Sequence, residues 1–105
     1  MGPLTNYRII ELGGLGPAPM CGLLLADLGA EVIKVERPGT GDETRQWGPP
    51  FAGGESAYYL CCNRNKQSLN LDLKHARGTA IARELAENSD VLIENFRLIG
   101  RTKLV

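Results

Sequence analysis

The stretch from Tyr7 to Glu36, YRIIELGGLGPAPMCGLLLADLGAEVIKVE, constrains this chain more than any other. A short apolar segment leads into a loop of glycines and prolines. A Leu-rich run follows, is closed by a glycine, and gives way to a β-branched segment. The pattern predicts a strand over Tyr7–Leu12, a helix over Pro19–Leu28 and a strand over Glu31–Glu36, with Val32, Ile33 and Val35 forming the apolar face of the second strand. Pro19 suits a first helical turn, where a missing N–H costs nothing, and Gly29 suits a helix end. Strand, helix and strand in this order form a β-α-β unit. Such a unit has a right-handed crossover and a parallel strand pair.

The rest of the chain extends the same architecture. Arg37–Glu55 is rich in Pro and Gly and has no period. Trp47 and Phe51 make it an ordered loop rather than a free tether. Ser56–Cys62 reads as a short helix with Ser56 as its N-cap, and Asn63–Lys66 breaks it. Ser68–Leu73 alternates as a strand, Ala76–Asn88 is an amphipathic helix, and Asp90–Glu94 is a further strand. The expected fold class is α/β, a Rossmann-like open parallel sheet. With 105 residues the chain is one domain, residues 1–105.

Charge narrows the partners. Twelve basic and twelve acidic residues balance, which gives no reason to expect nucleic acid or an anionic membrane. The longest apolar run, MCGLLLA, is far too short to span a bilayer, and the amino end has no signal-peptide pattern. Cys21, Cys61 and Cys62 form no CxxC pair. They fit small buried apolar groups in a reducing compartment, with the cytoplasm expected and mitochondria or peroxisomes compatible. No His–Cys set has metal spacing, so no metal site is expected. His75 is the single histidine, and nothing in the sequence brings it to a nucleophile.

The glycine loop GGLGPAP admits three readings. Gly14 and Gly16 match the first two glycines of a dinucleotide fingerprint, and Glu36 stands where a ribose-binding acid would. Pro19 occupies the third glycine position, however, and Pro17 and Pro19 remove N–H donors that a pyrophosphate cradle needs. A plain turn and a different phosphate-bearing ligand remain open. Glu36 could be paired with Arg37, which follows it directly, and Asp42 with Arg45 could close a tight turn in GDETR. Arg37, Arg64, Lys66 and Arg97 stand at or just past the ends of predicted elements, where an open α/β sheet gathers anionic ligands. Asn63, Asn65 and Asn95 add neutral donors, and Phe96 offers a face for a purine.

The ordered set GAEVIKVERP, GDETR, NRNKQSLNLDL and ENFR closely resembles the N-terminal region of the family III CoA-transferases, also called the CaiB/BaiF family, over about residues 3–97. The resemblance implies an enzyme that moves CoA from an acyl-CoA to a free carboxylic acid. An Asp nucleophile attacks the thioester, and the reaction passes through a mixed anhydride and an aspartyl-CoA thioester. It implies acyl-CoA as substrate, no tightly bound cofactor, and an interlocked homodimer. Matched by motif, CoA contacts fall on Leu15, Gly16, Arg37, Asn63, Arg64, Asn65, Lys66, Asn95, Phe96 and Arg97. The nucleophile falls downstream of ENFR and matches none of Asp27, Asp42, Asp72 or Asp90. No catalytic residue is therefore expected in this chain, and Arg101 is not expected to replace the family's later CoA-binding Arg. The resemblance stops near residue 98, so the chain reads as an N-terminal CoA-binding fragment, inactive alone, with residues 98–105 a divergent tail. GLGPAP is closer to the α-methylacyl-CoA racemases of the same fold, whereas GDETRQWGPPF with SAYYL follows the transferases.

Overall fold

The computed structural model describes residues 2–13 and 17–95. The elements run β1 (Arg8–Glu11), α1 (Pro17–Asp27), β2 (Glu31–Glu36), a 3₁₀ turn (Glu43–Gln46), a small hairpin of β3 (Phe51–Ala52) and β4 (Glu55–Ser56), α2 (Ala57–Asn63), β5 (Lys66–Asn70), α3 (Ala76–Glu87) and β6 (Val91–Ile93). Four strands form one parallel sheet in the order β5-β2-β1-β6. This is the open α/β sheet that the sequence predicts.

The helix ends follow local chemistry. Gly29 adopts φ +104°, and the Gly29 and Ala30 amides return to the carbonyls of Ala26 and Leu25, closing α1. Ser56 caps α2 by accepting from the Tyr59 amide at 3.3 Å. His75 caps α3, its Nδ1 accepting from the Arg77 amide at 3.1 Å. α1 begins at Pro17, two residues earlier than expected, so Pro17 rather than Pro19 takes the first position.

The sheet is buried on both faces. Ile9 and Val32 pack with Ala26 and Ala30 on the α1 side. Ile10, Leu12, Ile33 and Val35 pack with Leu85 on the α3 side. Val32 therefore does not share a face with Ile33 and Val35, as the sequence pattern had suggested. Strand side chains alternate, so Lys34 and Glu36 lie on Val32's face, beneath the helices. The expected strand Ser68–Leu73 is shifted to Lys66–Asn70, because β5 pairs with β2 from Val32↔Lys66 to Glu36↔Asn70. The cysteines also depart from expectation. Cys21 and Cys61 are exposed and Cys62 is half-buried, because α1 and α2 turn these positions outward.

Candidate functional site

Three strand charges face the α1 side and are all buried: Glu11, Lys34 and Glu36. Glu11 and Lys34 are register partners on adjacent strands, and their side chains meet at 2.9 Å. Lys34 Nζ also lies 3.0 Å from Asp42 Oδ2. Lys66 Nζ reaches Glu11 Oε1 at 2.7 Å and donates to the Pro19 carbonyl and Asn63 Oδ1, each at 2.9 Å. Burial pushes the Lys66 ammonium down, while its bond to Glu11 holds it up; the net direction is down. Gly22 of α1 sits directly over this group, and a Cβ there would overlap the Glu11 carboxylate.

A second group adjoins the first. Arg45 grips Glu36 with two nitrogens, Nε at 2.7 Å from Oε1 and Nη2 at 2.8 Å from Oε2. The Asp42 amide donates to Glu36 Oε1 at 2.8 Å, and the Ser68 hydroxyl donates to Oε2. Burial pushes the Glu36 carboxyl up, but these bonds and the Arg45 charge outweigh it and hold it at about 2. Arg45 also lies 4.0 Å over the Tyr59 ring and donates to its hydroxyl at 2.7 Å. Burial, with the Glu36 charge, raises the Tyr59 hydroxyl. Three carboxylates, Glu11, Glu36 and Asp42, are thus matched by three cations, Lys34, Lys66 and Arg45. The network is neutral, as buried charge requires.

This arrangement corrects two sequence expectations. Asp42 pairs with Lys34 and accepts from the Thr44 amide and hydroxyl, each at 2.9 Å. Arg45 takes Glu36 instead of Asp42, so Glu36 is paired by Arg45 and not by its sequence neighbour Arg37. Glu36 is consequently filled by protein donors, which leaves it unsuited to gripping a ribose hydroxyl. Sequence reading missed the buried network because single-face alternation implies a wet side for charged residues. Gly22 inside a Leu-rich helix was the available signal.

An open cleft of about 730 Å³ lies at the carboxyl ends of the strands. Gly13 lines it after β1, Arg37 and Pro38 after β2, Leu71 to Lys74 after β5, and Asn95 after β6. From β1 the chain builds outward through β2 to β5, then returns to place β6 on the other side of β1. The cleft therefore meets the sheet at its switch point, where open α/β folds bind ligands. Gly13, at φ +96°, lies so close to Asn95 that a Cβ would overlap Oδ1. Among the described residues, the Arg37 guanidinium and the Lys74 ammonium have no ionic partner.

Of the residues expected to bind ligand, Arg37 and Asn95 line this cleft. Leu15, Gly16, Phe96 and Arg97 lie outside the described residues, as does Arg101. Asn63 to Lys66 are elsewhere. Lys66 opens β5, opposite Val32, so it stands at the other end of the sheet from Arg37. Arg64 donates to Asp27 Oδ2 at 2.7 Å and Asn65 to Asp27 Oδ1 at 3.0 Å, at the carboxyl end of α1. Asn63 donates to the Tyr59 carbonyl at 3.0 Å and accepts from Lys66. The four brace helices against the sheet instead of joining Arg37. Lys74 was not singled out from sequence. It lies past the end of β5, in the segment Leu71–Lys74 that lines the cleft.

An open parallel sheet with helices on its faces and a cleft at its switch point defines a Rossmann-like α/β fold. The chain belongs to CoA-transferase family III, whose model matches residues 4–105. It is 52% identical over 96 residues to the succinyl-CoA:glutarate CoA-transferase of Mus musculus, covering 91% of this chain and 22% of that protein. It is 50% identical over 107 residues to the succinate–glutarate CoA-transferase of Agrobacterium fabrum (strain C58 / ATCC 33970), covering 96% of this chain and 27% of that one. A CaiB/BaiF family crystal structure from Brucella suis superposes with a TM-score of 0.91 at 44% identity, over 98% of this chain and 28% of that chain. The chain thus spans about a quarter of the length of the relatives it matches.

Proposed function

We propose that this chain forms the CoA-binding wall of an enzyme that transfers CoA from an acyl-CoA to a free carboxylic acid. The observation that carries this reading is the meeting of Arg37 and Lys74, from two different strand ends, in the cleft that Gly13 and Asn95 close at the switch point. CoA carries its phosphates at one end and its thiol at the other. Arg37 offers a fork for phosphate oxygens and Lys74 a mobile point charge. Leu71 and Leu73 give the same cleft an apolar side for the adenine. Leu15, Gly16, Phe96 and Arg97 join the contact set through the family resemblance alone.

Glu36, Asp42, Glu43 and Asp72 also line the cleft, and two of the four are neutralised within the protein. Glu36 is neutralised by Arg45 and Asp42 by Lys34. The relatives' names favour transferase over racemase and point to succinyl-CoA as donor and a dicarboxylate as acceptor. The nucleophilic Asp belongs downstream of Arg97. Each Asp of the described region already has a structural partner: Asp27 accepts from Arg64, Asp42 pairs with Lys34, Asp72 accepts from the Lys74 amide, and Asp90 from the Arg8 amide. A homodimer fits the outward face of α1, where Met20 and Leu24, with Leu28 just past the helix end, are exposed apolar groups.

Among the described residues, no helix is long and apolar enough to cross a membrane, and no group of His, Cys, Asp and Glu could hold a metal ion. Calorimetric titration of the chain with CoA tests the reading. Saturable binding that weakens with added salt supports it, since phosphate contacts are screened. No heat at millimolar CoA would sink it. In an exchange assay with succinyl-CoA and glutarate, the chain alone is expected to give no turnover.

A further inference from the structure

We infer that Arg45 is a positioning residue for the ligand cleft, acting through Glu36 to hold Arg37 in the cleft wall. The inference rests on the reading of that cleft as a CoA site.

β2 ends at Glu36, and Arg37 is the next residue. The chain then turns through Pro38, Gly39, Thr40 and Gly41, with Gly39 at φ +82° and Gly41 at φ +70°. It comes back to its starting point at Asp42, whose amide donates to Glu36 Oε1 at 2.8 Å. One carboxylate therefore ties both ends of the loop that carries Arg37. Arg45 holds that carboxylate in the required orientation, through Nε to Oε1 and Nη2 to Oε2. Arg45 is in turn seated on the Tyr59 ring and hydroxyl. Gly41 is packed into the pair so closely that a Cβ would stand 2.9 Å from Glu36 Oε1 and 3.1 Å from Arg45 Nε.

Arg45 itself does not line the cleft, whereas Glu36 and Arg37 do. Two consequences follow for an anionic ligand. The loop that aims Arg37 is fixed only while Glu36 is clamped. Glu36 is also a buried carboxylate beside the ligand path, and Arg45 cancels its charge. The fork matters as well as the charge, because one nitrogen is needed at each carboxylate oxygen. A lysine at this position supplies charge without the fork.

The test is a double-substitution cycle on the 105-residue chain, read as CoA affinity by calorimetry, with near-ultraviolet circular dichroism confirming a folded state. Arg45→Lys is expected to weaken CoA about fivefold when Arg37 is present, and by less than about twofold in an Arg37→Ala chain. Glu36→Gln, which keeps the shape of the side chain, is expected to show the same dependence on Arg37. A general structural role would weaken binding equally in both backgrounds. Equal losses, or no loss in the Arg37-bearing chain, would overturn the inference while leaving the cleft as a CoA site. No binding by the unsubstituted chain would overturn both.

Discussion

Gly22 of α1 lies against the carboxylate of Glu11, with no room for a side chain between them. Glu11 is fully buried and pinned by Lys34 and Lys66, so it cannot swing aside. Replacing glycine by alanine inside a helix normally gains about 1 kcal/mol. Here the sign should reverse. Gly22→Ala is expected to lower stability by about 1–3 kcal/mol, the usual cost of overpacking. Urea unfolding with an unchanged m-value would show it; a gain in stability would mean that the carboxylate can move.

Lys34 stands between Glu11 and Asp42 with its side chain 2% exposed. Lys34→Met fills the space but leaves two carboxylates without their shared cation. The expected loss is about 3–5 kcal/mol, as for breaking one side of a buried ion pair. Arg8→Met, at the half-exposed pair with Glu31, is expected to cost under about 1 kcal/mol. Similar losses at both sites would contradict the burial argument.

Glu36 gives the stability a defined acid dependence. Its folded-state value is held at about 2, below the ordinary 4.5. A depressed acid contributes stability that is present above its unfolded value and is lost as pH falls through the folded one. Stability should therefore drop between about pH 4.5 and pH 2. The contribution of this one group is on the order of 3 kcal/mol. Glu36→Gln should remove much of that slope, measured as urea midpoints across the range. An unchanged slope would place the acid sensitivity elsewhere.

Arg37 and Arg64 were equivalent as sequence candidates and are not equivalent in space. Arg37 lines the cleft, while Arg64 is bound to Asp27 at the far end of α1. Arg37→Ala should weaken CoA binding about tenfold, as expected for a charged hydrogen bond worth roughly 1.5–3 kcal/mol. Arg64→Ala should change it less than about twofold, since its contact is an exposed ion pair. Equal effects would return Arg64 to the binding surface. Lys74→Ala should resemble Arg37→Ala in reducing the salt dependence of CoA affinity.

The order of elements was legible in the sequence because each is set locally. Alternation, the Leu-rich run and the punctuation by Gly29 and Ser56 report on neighbours a few residues away. The same locality put Arg37 and Asn95 at one edge of the sheet, since each follows a strand and the carboxyl edge of a parallel sheet is shared. Register and burial were decided only in three dimensions. The parallel pairing of β5 with β2 sets the NRNK segment at the amino end of the sheet and Lys74 at the cleft beyond its carboxyl end. Covering both faces of β2 turned Lys34 and Glu36 from surface charges into a buried, neutral network. Their partners, Glu11, Asp42, Lys66 and Arg45, come from other segments. A charge in low dielectric must find its counter-charge wherever the fold brings one. No spacing along the chain records that choice.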